Sequence, residues 1–166
     1  AARTGTAVAG HSGLDPDCIF AGILSLAAKS LLVVEKPADG SRTHYRLLET
    51  TRTYALRQLR TSENEAVTRQ RHAEYCLQLC TEAEADWDLL SRQQWMALYG
   101  RIMGDVRTAI DWCMAHGSIT LGLELILASA PMGVQLSLVD EYRLRVDAGL
   151  QRVIAKRLGP LLELQF

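Results

Sequence analysis

Surplus charge is missing from this sequence. Its 166 residues hold 18 Lys and Arg against 19 Asp and Glu, for a formal charge of -1. A dedicated nucleic-acid binder draws its phosphate affinity from surplus Lys and Arg. The balance therefore argues that DNA binding by this chain is unlikely, although a local basic patch is still allowed. Aromatic residues are also scarce, at 6%. With 48% apolar residues the chain can build a core, and the sequence predicts one made mostly of Leu, Ala, Val and Ile. The four cysteines, Cys18, Cys76, Cys80 and Cys113, form no CxxC pair, and their spacing does not suggest a disulfide framework. Residues 1–14 lack the apolar segment of a secretory signal. Reduced thiols in the cytoplasm follow as the expectation. The most apolar stretch, Leu121–Val139, is interrupted by Glu124, Pro131 and Gln135, so it predicts a buried helix and no membrane partner. No GxxxxGK[ST] phosphate loop occurs, and no apolar strand ends in paired acids for Mg²⁺. The sequence thus predicts no catalysis and no cofactor in this chain.

What is present is a change of period. Asp15-Pro16 marks a helix start, with Asp at N-cap and Pro at N1. That helix should run to about Lys29, with Ile19, Ile23, Leu24, Leu26 and Ala27 on its apolar face. LLVVE then reads as a strand, Leu31–Lys36, bounded by the turn chemistry of Pro37-Ala38-Asp39-Gly40. THYRLL alternates with period 2 and predicts the second strand of a hairpin, about Arg42–Leu47. After Leu48 the period becomes 3.6. Tyr54, Ala55, Leu56 and Leu59 mark a short helix, interrupted at Thr61–Asn64.

The rest reads as helix throughout. Asn64 should cap a long helix with Val67, Ala73, Cys76, Leu79, Cys80 and Ala83 on one face. Ser91 should cap a third, carrying Trp95, Leu98, Ile102, Val106, Ala109, Ile110 and Cys113 and ending at His116-Gly117. Ser118 starts a fourth that Pro131 should stop at about Ala130. A fifth spans 139–158 before Gly159-Pro160. The third and fourth suggest an antiparallel helical hairpin. The expected fold is mainly α: a winged-helix module over 1–61, with its hairpin at about 31–47, then an antiparallel TPR-like helical region over 62–166.

Several phrases carry a resemblance. DPDCIFAGILSLAAKSLLVVE, YRLLETTRTYALRQL and RHAEYCLQL resemble the region after the nucleotide-binding module of bacterial STAND-class regulator ATPases, relatives of the NB-ARC proteins. VRTAIDWCMAHGSITLGLELILA resembles a helix pair of their sensor region. The resemblance covers about Gly10 to Leu150. It implies a winged-helix hairpin entered from the first helix and left through the YRLLETTRTYA phrase. In the NB-ARC relatives a Met-His-Asp triplet sits at that exit, and its His contacts the phosphate of bound ADP. Here the triplet falls on Leu47, Leu48 and Glu49. An alkyl Leu48 cannot donate a hydrogen bond to phosphate, so Glu49 is expected to cap the following helix, where the dipole favours a carboxylate.

Other patterns read more simply as structure. His72, Cys76 and Cys80 share a helix face at i, i+4 and i+8, but the outer two lie about 12 Å apart along the axis, too far to hold one ion. Core-facing cysteines are the expectation. GHSG at 10–13 lacks the spacing of a nucleophile elbow and reads as a loop. Trp95 and Trp112 read as core, and Trp87, near a turn, is the freer candidate for a ligand groove. Arg52, Arg57, Arg60, Arg69 and Arg71 predict a solvated face with Glu63, Glu65 and Glu74.

The resemblance implies a non-catalytic regulatory fragment of a signal-responsive transcriptional regulator. It would relay sensing in the helices to a nucleotide switch upstream, where ATP or ADP would bind. Its partners would be that nucleotide-binding domain, an unidentified effector or protein, and a second copy of itself. Arg46, Leu48, Glu49 and Arg52 are the candidate inter-domain contact. The alternative is a free-standing winged-helix DNA-binding transcription factor with a helical dimerisation or effector domain.

Overall fold

The Asp15 carboxylate accepts a hydrogen bond from the Asp17 backbone N–H at 3.2 Å. This satisfies one of the free donors at the start of α1 (Pro16–Ala28). The computed structural model describes residues 15–35, 44–116 and 118–163. GHSG at 10–13, Lys36, the turn at 37–40, Arg42 and Gly117 lie outside the described residues. The chain divides into two compact units, Ala1–Arg71 and His72–Phe166.

The first unit contains α1, a hairpin of β1 (Leu32–Glu35) and β2 (His44–Leu47), α2 (Glu49–Arg60), and the start of α3 (Glu65–Ala85). α1 ends without glycine. Ser30 adopts φ 57° at the position after the C-cap. Leu31 N–H donates to Leu26 O and Ser30 N–H to Ala27 O, both at 3.0 Å. This is a Schellman closure that a serine backbone has been made to adopt. α1 packs on β1. The strands pair antiparallel in the register Leu32–Leu47, Val33–Arg46, Val34–Tyr45 and Glu35–His44. Alternation places Leu32, Val34, Tyr45 and Leu47 on one face. At the end of α2, the Thr61 and Ser62 hydroxyls donate to the Gln58 and Leu59 carbonyls at 3.0 and 2.8 Å. None of the described side chains of this unit is buried. Val67, expected on a core face, is 49% exposed.

The second unit is helical: the rest of α3, then α4 (Arg92–Tyr99), α5 (Met103–His116), α6 (Ile119–Gln135) and α7 (Val139–Glu163). α5 packs on α6, and α6 on α7. Every fully buried apolar residue of the described chain lies in this unit. Ala73, Cys76, Cys80 and Ala83 follow the helical period on α3, and Met103, Val106, Ile110 and Cys113 follow it on α5. Ala73, Ala83, Val106, Ala109, Ile110, Leu125 and Ile126 supply the aliphatic part of the core, with Leu125 the one fully buried leucine among the described residues. Thiols, methionines, Trp95, Tyr99 and Tyr142 fill the rest, a larger share than the sequence predicted. Burial pushes the Cys76 and Cys80 thiols up to about 12 and Cys113 to about 11, so they remain protonated hydrophobes at neutral pH.

Three helix limits differ from expectation. The helix expected from Ser91 to His116 is broken at Gly100. There a side-chain carbon would come within 2.7 Å of the Met96 carbonyl oxygen. Pro131 does not stop α6, which continues to Gln135. Proline removes the bond to the carbonyl four residues back. That carbonyl belongs to Leu127, whose side chain is 69% exposed, on the solvent side of the helix. Likewise the backbone of α7 continues through Gly159-Pro160 to Glu163. Proline's fixed φ is itself helical, so it removes one hydrogen bond without forcing the chain to turn.

Tyr142 fixes α7 against α6. Its hydroxyl donates to Ser129 Oγ at 2.8 Å, and Ser129 in turn donates to the Leu125 carbonyl. Gly133 lies directly beneath the tyrosine ring, since an added Cβ would sit 2.4 Å from it. Outside this layer, Arg107 grips Glu141 with both arms of its guanidinium, at 2.6–3.1 Å. Arg145 joins Glu141 at 3.0 Å to Asp111 at 2.7 Å. Hydrogen bonding to Arg107 holds the Glu141 carboxyl down at about 2.

Candidate functional site

The passage from β2 to α2 needs no glycine because one ordinary residue makes it. Leu48 is the N-cap of α2, with φ -59° and ψ 147°, an extended conformation open to any side chain. Its N–H donates to the Leu31 carbonyl at 3.3 Å, and its carbonyl accepts the first helical bond from Arg52 at 2.8 Å. Of the four residues expected to act together, the structure brings two into contact. Arg52 Nη1 lies 3.8 Å from Glu49 Oε1. Arg46 turns to Glu35 across the hairpin, at 3.6 Å. Leu48 is 39% exposed and belongs to no buried core. Glu49 makes no capping hydrogen bond; its carboxylate acts on the first turn of α2 only through proximity to the helix dipole. Both ion pairs are solvent-exposed and contribute little to stability.

A second site lies wholly within the helical unit. A cavity of about 390 Å³ opens between the end of α3, the turn after it, α4 and the end of α6. Trp95 forms its floor; the Trp95 indole N–H donates to the Ala83 carbonyl at 2.7 Å. Trp87 stands against it edge to face, with ring centroids 5.0 Å apart at 86°. Glu84, Asp88, Val134 and Gln135 complete the part that reaches solvent, and the buried Met132 lines the wall. Ser91 holds the neighbouring helix start in a capping box with Gln94. Trp87 is the ligand candidate the sequence singled out. Trp95 lies in the core as expected, while Trp112 is half-buried and stacks on His116 at 6.0 Å. Sequence reasoning missed Glu84 and Asp88. Their signal was the spacing Glu84-x-x-Trp87-Asp88, which places two acids around an indole at a helix end.

Among the described residues, no group of three His, Cys, Asp or Glu side chains is arranged to hold a metal ion. Cys76 Sγ lies 3.7 Å from His72 Nε2, inside the helical unit. Among the same residues, no helix is long and apolar enough to cross a membrane.

Over 126 residues, 76% of its length, the chain is 36% identical to proteins of Mycobacterium bovis and of two strains of Mycobacterium tuberculosis. These relatives carry the provisional name of HTH-type transcriptional regulator. The chain spans 14% of the length of these curated relatives. No family model and no solved structure matches it.

One expectation is overturned by this likeness. The charge balance argued against DNA, but the relatives are named as HTH-type regulators, which points to DNA binding. A total charge averages over the whole sequence and hides local excess. α2 alone carries Arg52, Arg57 and Arg60, all exposed, against Glu49.

Proposed function

We propose that this chain is a non-catalytic regulatory segment of a cytoplasmic transcriptional regulator. The helical unit would recognise a signal, and the winged-helix unit would pass it to a nucleotide-binding switch elsewhere in the longer protein, where ATP or ADP would bind. DNA is a partner of the protein in this reading. The observation that carries it is the unfinished apolar surface of the winged-helix unit. Phe20, Leu24, Val34, Leu48, Tyr54 and Val67 are 39–64% exposed. Where such groups form a contiguous patch, they mark a surface that another domain covers. Leu48 belongs to that set and stands beside the exposed Glu49 and Arg52. The likeness to regulators far longer than the matched stretch supports the same reading. It also disfavours a free-standing winged-helix factor.

The test uses the full-length protein with Leu48→His. Facing a nucleotide, the imidazole would add a charge-assisted hydrogen bond to phosphate, worth roughly 1.5–3 kcal/mol. The gain would exist only in the closed state. ADP release should slow by about tenfold or more, and reporter transcription should fall. An unchanged or faster release overturns the relay through this bend. A DNA titration at varied salt measures the segment's own phosphate contacts from the slope.

A further inference from the structure

The cavity of the helical unit has a composition that selects its ligand. Its volume of about 390 Å³ is in the range of small-molecule sites. Met132 and Val134 give it an apolar wall, and Trp87 and Trp95 give it two indoles. The charged residues that line it are Glu84 and Asp88, and among the described residues no Lys or Arg joins them. Between Thr81 and Ser91 the sequence holds Glu82, Glu84, Asp86 and Asp88 and no basic residue. Two of these four acids are occupied: Glu82 accepts from Gln78 at 2.9 Å, and Asp86 accepts from the Tyr99 hydroxyl at 2.6 Å. The two that face the cavity have no hydrogen-bond or ion-pair partner among the described side chains. The Trp95 ring is fixed by its bond to Ala83, whereas the Trp87 N–H has no partner among the described residues.

Each class of ligand meets this lining differently. An anion is repelled by both carboxylates and by the negative face of an indole. A neutral molecule gains only the apolar wall. A cation gains the carboxylates and the ring faces together, and an apolar body attached to it gains the wall as well. We propose that this cavity binds an organic cation with an apolar body, of the class of hydrophobic amines and quaternary ammonium compounds. The inference rests on the reading that the helical unit receives the signal, and it names the chemical class of that signal.

The test uses three probes on one carbon skeleton: 4-phenylbutylammonium, 4-phenylbutanol and 4-phenylbutyrate. Each is titrated into the 166-residue chain while the indole N–H resonances are followed by ¹⁵N NMR. The ammonium should shift the Trp87 and Trp95 signals saturably. It should bind at least tenfold more tightly than the butyrate and at least threefold more tightly than the alcohol. The double substitution Glu84→Gln, Asp88→Asn alters only exposed side chains, so the melting temperature should hold while the preference for the ammonium disappears. Trp87→Leu keeps the apolar wall and should weaken the ammonium more than the alcohol. Equal affinity for all three probes, no binding of the ammonium, or a preference that survives the double substitution overturns the proposal. None of these outcomes alters ADP release from the Leu48→His protein, so the two readings fail separately.

Discussion

Phe20 and Ile110 are both large apolar residues in the middle of helices, yet Phe20 is 47% exposed and Ile110 is 2% exposed. The difference separates the two units. The helical unit encloses side chains from five helices and buries them completely. The winged-helix unit lays one helix on a two-stranded hairpin, with no fully buried side chain among its described residues. A two-stranded hairpin needs a further layer for independent stability. Apolar content alone therefore does not make a self-sufficient domain. The number of elements that can converge on one point decides it.

The largest expected effect tests that contrast directly. Ile110→Asp puts a carboxylate where no water reaches and should cost about 3–5 kcal/mol. Phe20→Asp should cost less than about 1 kcal/mol, because the new charge remains hydrated. Urea melts of both variants, followed by circular dichroism, give the comparison; similar losses would mean that burial is not what distinguishes the units.

Glycine substitutions sharpen the contrast at smaller scale. Gly133→Ala drives a methyl into the Tyr142 ring and should cost about 2–3 kcal/mol. Gly22→Ala in α1 meets nothing within 4 Å. It should stabilise by about 0.5–1 kcal/mol through helix propensity. Melting temperatures that move in the same direction for both would contradict the packing described.

Acid should act on the helical unit through Glu141. Its carboxyl is held at about 2, below the ordinary carboxylate value, chiefly by Arg107. A lowered folded-state pKa contributes stability above the unfolded value, and that stability is lost as pH falls from about 5 toward 2. With solvent reaching Arg107, the contribution should be about 1–2 kcal/mol. Glu141→Gln should remove it at pH 7 and leave a flatter stability profile between pH 5 and 2. The smallest effect is one the two units share. Ser30→Gly and Ser137→Gly each relieve a positive φ, of 57° and 59°. Each should stabilise by about 0.5–1 kcal/mol in a melting experiment.

Helix starts were legible because their chemistry is local. Asp15 and Ser91 each satisfy backbone donors two or three residues away, and the sequence shows both partners. Helix ends were legible in part. α1 stops beside Lys29, α2 before Thr61 and α5 at His116 as the sequence suggested, whereas Pro131 and Pro160 suggested stops that the helices pass through. The bend at Leu48 was legible from the change of period. Which residue pairs with Arg46 was not, because Glu35 is brought to it by strand register. Trp87 could be singled out from its place beside a turn. Its cavity could not, because Met132 and Val134 reach it from a helix more than forty residues away.

The sequence by itself determined where most elements begin (the start of α5 at Met103 excepted), the switch from period 2 to period 3.6, most of the helical faces of α3 and α5, and the pairing of a hairpin module with a helical region. Each depends on residues within about one turn or one strand of each other, where sterics and hydrogen bonding are fixed by the local chain. Only the tertiary structure decided which apolar residues are buried. Leu125 is enclosed and Leu127 is 69% exposed on the same helix. That outcome depends on which neighbours arrive to exclude water, and those neighbours come from α5 and α7, on either side in the chain.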